Sequence, residues 1–113
     1  MSIVRKRLFQ LISLAFAIAA AWHLVALIVP IDPSSPAWRH ALFVAINLAL
    51  VAGMLRRPRW FAIAFGALVL QQSWSHGRSL VAHARAGNLD AVSLFVLVAL
   101  PTVLALLLSE RRE

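Results

Sequence analysis

Residues 8–29 read LFQLISLAFAIAAAWHLVALIV, with Gln10, Ser13 and His23 as the only polar side chains. A helix needs roughly 20 mostly apolar residues to cross the hydrocarbon core of a bilayer, and this run supplies them. Pro30, Asp32, Pro33 and Pro36 end it, and Arg5, Lys6 and Arg7 precede it. A cleaved leader has the same basic start, and Ala17-Ile18-Ala19 resembles a cleavage site. The apolar stretch nevertheless runs on past Ala19 to Val29, longer than the apolar region of a leader. The run therefore reads as a retained span.

Outward from it lie three further apolar runs, at residues 37–55, 59–75 and 89–108. The second stops at Arg56-Arg57-Pro58, the third turns polar at Gln71, Gln72 and Ser73, and the fourth is followed by Ser109, Glu110, Arg111, Arg112 and Glu113. Runs two and three are short. Neither can end inside hydrocarbon without leaving backbone groups unpaired, so together they read as an antiparallel hairpin around Arg56-Arg57-Pro58-Arg59. The expected fold is all-α: an integral membrane protein forming a four-transmembrane-helix antiparallel bundle, as a single membrane domain over residues 1–113.

Composition supports the same solvent. Of 113 residues, 62% are hydrophobic and 13% charged, with a mean hydropathy of +0.85. Soluble domains are about 45–50% apolar and about 25% charged, and a soluble fold of this size could not bury the excess. Disorder is excluded by the same figures. The chain has no cysteine, which excludes disulfides, thiolate metal sites and cysteine nucleophiles. The net charge of +7 does not point to nucleic acid, because the basic residues sit in short clusters beside apolar runs, where they act as topology signals.

Those signals fix an expected orientation. With the N-terminus inside, the inner segments hold Arg5, Lys6, Arg7, Arg56, Arg57, Arg59, Arg111 and Arg112, against Arg39, Arg78 and Arg85 outside. Positive charge favours the cytoplasmic side, so both termini are expected in the cytoplasm of a bacterial plasma membrane. Trp22, Trp38 and Trp74 fall near outer ends of spans and Trp60 near an inner end, as interfacial anchors do. Between runs three and four, Arg78 and Arg85 share a helical face and Leu80, Val81 and Ala84 supply an apolar one. Residues 78–86 thus read as a short interfacial helix in the outer loop, with Gly87 as its C-cap. Asn88 then reads as the N-cap of span four, with Asp90 in its first turn. No internal repeat stands out.

The unusual chemistry lies at the outer side. His23, His40, His76 and His83 all fall there, as do Asp32, Asp90, Gln71 and Gln72. Gln72 and His76 are one helical turn apart on one face. His40 and Asn47 share a face about 10.5 Å apart along the axis. A mid-membrane Asn is costly unless it faces another helix or a polar cavity, so Asn47 is expected to point inward and hydrogen-bond across helices. His40, Asn47, Gln72, His76 and Asp90 are therefore the candidate ligand-binding residues, expected to line one outward-opening pocket.

His23, His40, His76 and His83 are weaker candidates for a metal, since imidazole is the commonest metal ligand, but no H-x-x-x-H, H-x-H or H-E-x-x-H spacing occurs. Interfacial histidine with an apolar body and a wet tip is the plainer reading for His23 and His83. No P-loop, G-x-S-x-G or G-x-G-x-x-G is present, and no Lys, Asp or Glu lies at mid-membrane depth, against transport coupled through a buried carboxylate. Pro101 in run four frees the carbonyl of Leu97, which the Thr102 hydroxyl or a neighbouring helix would satisfy.

The functional expectation is a small multi-pass inner-membrane protein of binding or accessory type, without catalytic machinery and without a cofactor. Its expected partners are the lipid bilayer and either a larger membrane complex or a second copy of itself. The alternatives are a metal- or haem-binding redox protein using the outer histidines, and an oligomeric small-molecule transporter or channel.

Overall fold

The computed structural model describes residues 1–110 and is all-helical: α1 (Ile3–Ile28), α2 (Ala37–Arg56), α3 (Phe61–Arg85) and α4 (Ala91–Glu110). Arg111 and Arg112, counted among the inner charges, lie outside the described residues. By length and composition α1, α2 and α4 are able to cross a membrane. Helix α3 is not among them. Its apolar part ends at Leu70, and Gln71 opens a polar second half.

The chain divides into two compact units, Met1–Pro58 and a second from Arg59 onward. The division falls within the basic segment that the sequence reads as the turn between runs two and three. In the first unit α1 and α2 form an antiparallel hairpin. Phe9 near the start of α1 meets Arg57 after α2, with the guanidinium 4.5 Å from the ring centroid, while His23 near the end of α1 meets His40 near the start of α2. In the second unit α3 and α4 are antiparallel in the same way. A Cβ on Gly66 would lie 4.0 Å from Leu104, and His76 and Ser79 reach Ser93 and Asp90.

Helix ends follow local chemistry. Ser2 caps α1 by accepting the Arg5 N–H at 3.2 Å, so the helix begins ahead of the basic triplet and takes it in, a turn earlier than the apolar run alone suggests. At the other end the Ile31 N–H donates to the Val29 carbonyl at 2.8 Å, closing a γ-turn over Pro30, whose fixed φ suits that position. Helix α2 ends on Arg57 with φ 48° and ψ 53°, a left-handed conformation that costs a non-glycine residue roughly 1–2 kcal/mol. Two contacts of the Arg57 side chain offset that cost: it donates to the Met54 carbonyl at 2.9 Å and lies over Phe9.

Three expectations about the second unit are corrected. Residues 78–85 are helical, but as the last turns of α3 rather than as a separate interfacial helix. Gly77 carries the helix through, and a bond between the His83 ring and the Ser79 carbonyl at 2.8 Å ties the final turns together. Gly87 does end the helix, at φ +78°. The Asn88 N–H returns to the His83 carbonyl at 2.8 Å and the Gly87 N–H to the Ala84 carbonyl at 3.0 Å, the paired bonds of a Schellman stop. Asn88 is thus spent on terminating α3, and Asp90 caps α4 by accepting the Ser93 N–H at 3.1 Å. Pro101 is inside α4, and the Thr102 hydroxyl donates to the Val98 carbonyl at 2.7 Å, not to that of Leu97.

Polar residues deep in the helices are satisfied locally. Ser13 donates to the Phe9 carbonyl at 2.9 Å and Asn47 to the Phe43 carbonyl at 2.8 Å. Asn47 is buried as expected, 7% exposed, but its bond returns to its own helix instead of crossing to another. Such back-bonds serve a group that has no water to turn to.

Candidate functional site

The polar residues at the loop end of each hairpin are the candidate functional groups. In the first hairpin, the eight-residue connection carries α1 into α2 through Pro30, Pro33 and Pro36. Rigid turns of this kind place His23 and His40 opposite one another. Their Nδ1 atoms are 2.9 Å apart and the ring centroids 5.2 Å apart. His40 is 3% exposed, and its Nε2 lies 3.4 Å from the Asp32 carboxylate in the loop. That distance is an ion-pair contact rather than a well-formed hydrogen bond, and Nε2 has no hydrogen-bond partner. The Ser34 hydroxyl donates to the other Asp32 oxygen at 2.7 Å. This hydroxyl, then that of Ser35, holds the Asp32 carboxyl below its ordinary value, so it stays ionised.

Aromatic groups wall the pair. Phe43 stacks on His23 with centroids 5.2 Å apart and planes at 19°. Trp22 presents an edge to His23 at 4.9 Å and to His40 at 5.6 Å. The result is a line of three groups, carboxylate, imidazole, imidazole, running from the loop into the hairpin.

In the second hairpin the centre is Asp90. Its Oδ2 accepts the hydroxyls of Ser79 at 2.5 Å and Ser93 at 2.6 Å, and Oδ1 accepts the Ser93 N–H. These bonds, the Ser79 hydroxyl first and the Ser93 hydroxyl second, bring the Asp90 pKa down to about 2. Ser93 is 2% exposed, and its oxygen is 2.9 Å from His76 Nδ1. Since the Ser93 proton goes to Asp90, His76 donates to Ser93 Oγ and the network runs His76 to Ser93 to Asp90. His83 Nδ1 stands 3.7 Å from Asp90 at the exposed edge.

The expected ligand-binding residues thus fall in two sets. His40 is joined to His23 and Asp32, while Asn47 bonds within α2. His76 and Asp90 are joined through Ser93, while Gln72 donates to its neighbour Gln71 at 2.6 Å. Sequence reading missed Ser79 and Ser93 and left His23 outside the candidate ligand-binding set. For His23 a signal existed: it and His40 flank the proline-rich loop at comparable distances, as cross-hairpin neighbours must. Ser79 and Ser93 carry no such mark among ordinary helix serines.

In the second set the Ser79 and Ser93 hydroxyls donate to a carboxylate instead of to a base, so neither is activated for nucleophilic attack. Among the described residues no three His, Cys, Asp or Glu side chains gather so as to hold a metal ion. The two rings of the His23–His40 pair spend their facing nitrogens on each other. Comparison with known protein families, with curated proteins and with solved structures found no match.

Proposed function

We propose that this chain is a small multi-pass protein of the bacterial plasma membrane, crossing four times with both termini in the cytoplasm. It acts as a binding or accessory protein through the polar loop ends of its hairpins. Four crossings are supported by the pairing of α3 with α4. A helix that runs antiparallel along the most apolar helix of the chain, from Gly66 beside Leu104 to Ser79 beside Asp90, shares its depth in the bilayer. In the polar second half of α3, His76 and Ser79 are then bonded to Ser93 and Asp90 in place of lipid. Exposed apolar side chains such as Leu14, Ile18, Leu24, Phe95 and Val98 suit a lipid-facing surface, and all four tryptophans are exposed as interfacial anchors.

The observation that carries the binding reading is His40. A titratable ring at 3% exposure, held between a carboxylate and a second imidazole, is more than closing a helical hairpin requires. Reporter fusions after the last residue and within the 86–90 connection should report opposite sides of the membrane; the same side for both overturns the four-span reading. Purified protein should carry no stoichiometric metal and no haem absorbance. Either one would replace the accessory reading with the redox one.

A further inference from the structure

We infer that His23 and His40 form a proton-binding dyad that takes up one proton from the outer side and opens the loop end of the first hairpin if forced to take a second. The inference deepens the reading above and rests on it only for the side from which the proton comes.

The argument is geometric. Two Nδ1 atoms 2.9 Å apart require one proton between them, because two lone pairs or two N–H groups facing each other at that distance repel. With Asp32 ionised beside His40 Nε2, the neutral arrangement is fixed. His40 carries its proton on Nε2 toward Asp32, and its Nδ1 accepts from the Nδ1–H of His23. His23 Nε2 is the one ring nitrogen left without a proton or a partner, and it is where an added proton binds. The His23 imidazolium so formed can pass its Nδ1 proton across the 2.9 Å contact, leaving His23 neutral and His40 charged. Proton count is conserved: one enters at His23 Nε2, one moves between the rings, and the charge finishes 3.4 Å from the Asp32 carboxylate. A second proton has no place in this geometry. It would put N–H groups on both facing nitrogens and two positive charges on rings whose centroids are 5.2 Å apart.

The charged groups facing the dyad are Asp32 from the loop and Arg39 from α2. Asp32 favours positive charge on the dyad, whereas Arg39, whose guanidinium lies 5.8 Å from the Phe43 ring, opposes it. Trp22 and Phe43 contribute apolar walls. In the second hairpin His76 faces a serine oxygen, which accepts a hydrogen bond and does not titrate.

The test is nitrogen-15 NMR of the histidine rings of the full chain in lipid nanodiscs, titrated from about pH 8 to about pH 5, across the range in which imidazoles change charge. The rings are assigned with His76→Gln and His83→Gln. Signals of His23 and His40 should move together, with a coupling across the N–H···N hydrogen bond between them, and sum to one proton gained. His23→Gln keeps a donor beside His40 and should remove the shared signal without unfolding the hairpin. His40→Phe should leave His23 titrating by itself, with the shared signal gone. Independent titration of the two rings to full charge, with the α1–α2 contacts unchanged, overturns the dyad. In proteoliposomes an acid jump on the outer face alone should charge the pair. If an inner acid jump does so instead, the dyad survives and the proposed orientation fails.

Discussion

The two hairpins solve one structural problem with different chemistry. In each, a histidine in the first helix bonds across to a residue 17 positions later in the second. In the α1–α2 hairpin the partner is another histidine, and the nearby carboxylate touches the far side of that ring. In the α3–α4 hairpin the partner is Ser93, and the carboxylate is saturated by two hydroxyls and a backbone N–H. The first arrangement holds a proton whose position can change. The second holds all its protons in place and doubles as a helix cap. A polar hairpin end is therefore not by itself a functional site; what distinguishes the two is whether the group facing the histidine titrates.

The strongest way to break the comparison is to remove a packing centre from one hairpin at a time. Phe9 and Phe65 are both fully buried, one in each compact unit. Replacing either with alanine should cost about 3 kcal/mol through lost packing and the cavity left behind. Hydrogen exchange should show the loss confined to the hairpin that carries the substitution; equal loosening of both would erase the distinction between the units.

A smaller effect sharpens the electrostatic contrast. Asp90 has a folded pKa of about 2 against an ordinary 3.8. A depressed carboxylate contributes stability that is present above the unfolded value and lost as the pH falls through the folded one. The contribution of Asp90 to the second hairpin should thus be constant above about pH 4 and be lost from about pH 4 to pH 2. In Asp90→Asn that acid limb should disappear. In the first hairpin Asp32, held below its ordinary value by the Ser34 and Ser35 hydroxyls, should give a smaller acid limb of the same sign, and Asp32→Asn should remove it. Identical pH profiles for the two hairpins would remove the basis for treating them differently.

Asn47→Leu should have the least effect. Interhelical polar bonds in membrane proteins are worth about 0.6 kcal/mol on average, and Asn47 bonds within its own helix. The α1–α2 association should then change by less than that amount in a dissociation or exchange measurement. A larger loss would mean that the carboxamide serves a partner across the helices after all.

Much of the architecture was legible because it depends on local features. Long apolar runs require helices, prolines and charges stop them, and Gly87 ends α3 through the positive φ that favours glycine there. The break expected before residue 78 did not occur, since one helical glycine at Gly77 costs only about 1 kcal/mol against a side chain, less than the ties that Ser79, His83 and Asp90 form around it. Candidate residues were found from shared helix faces and from shared depth at the outer side, and neither fixes which groups meet across a hairpin.

The sequence by itself determined that this chain is helical and apolar enough for a bilayer, and that its histidines and the acids outside the tail gather near two of its turns; it read as four spans, of which the structure gives three as helices long and apolar enough to cross. Only the tertiary structure decided that His23 faces His40, that Ser79 and Ser93 hold Asp90, and that Asn47 turns back on α2. The physical reason is that a membrane helix is apolar on every side. Inside and outside are equally hydrophobic, so no stripe of apolar residues marks the face that packs. The register of each hairpin, fixed by turn geometry and side-chain fit, chooses every polar partner.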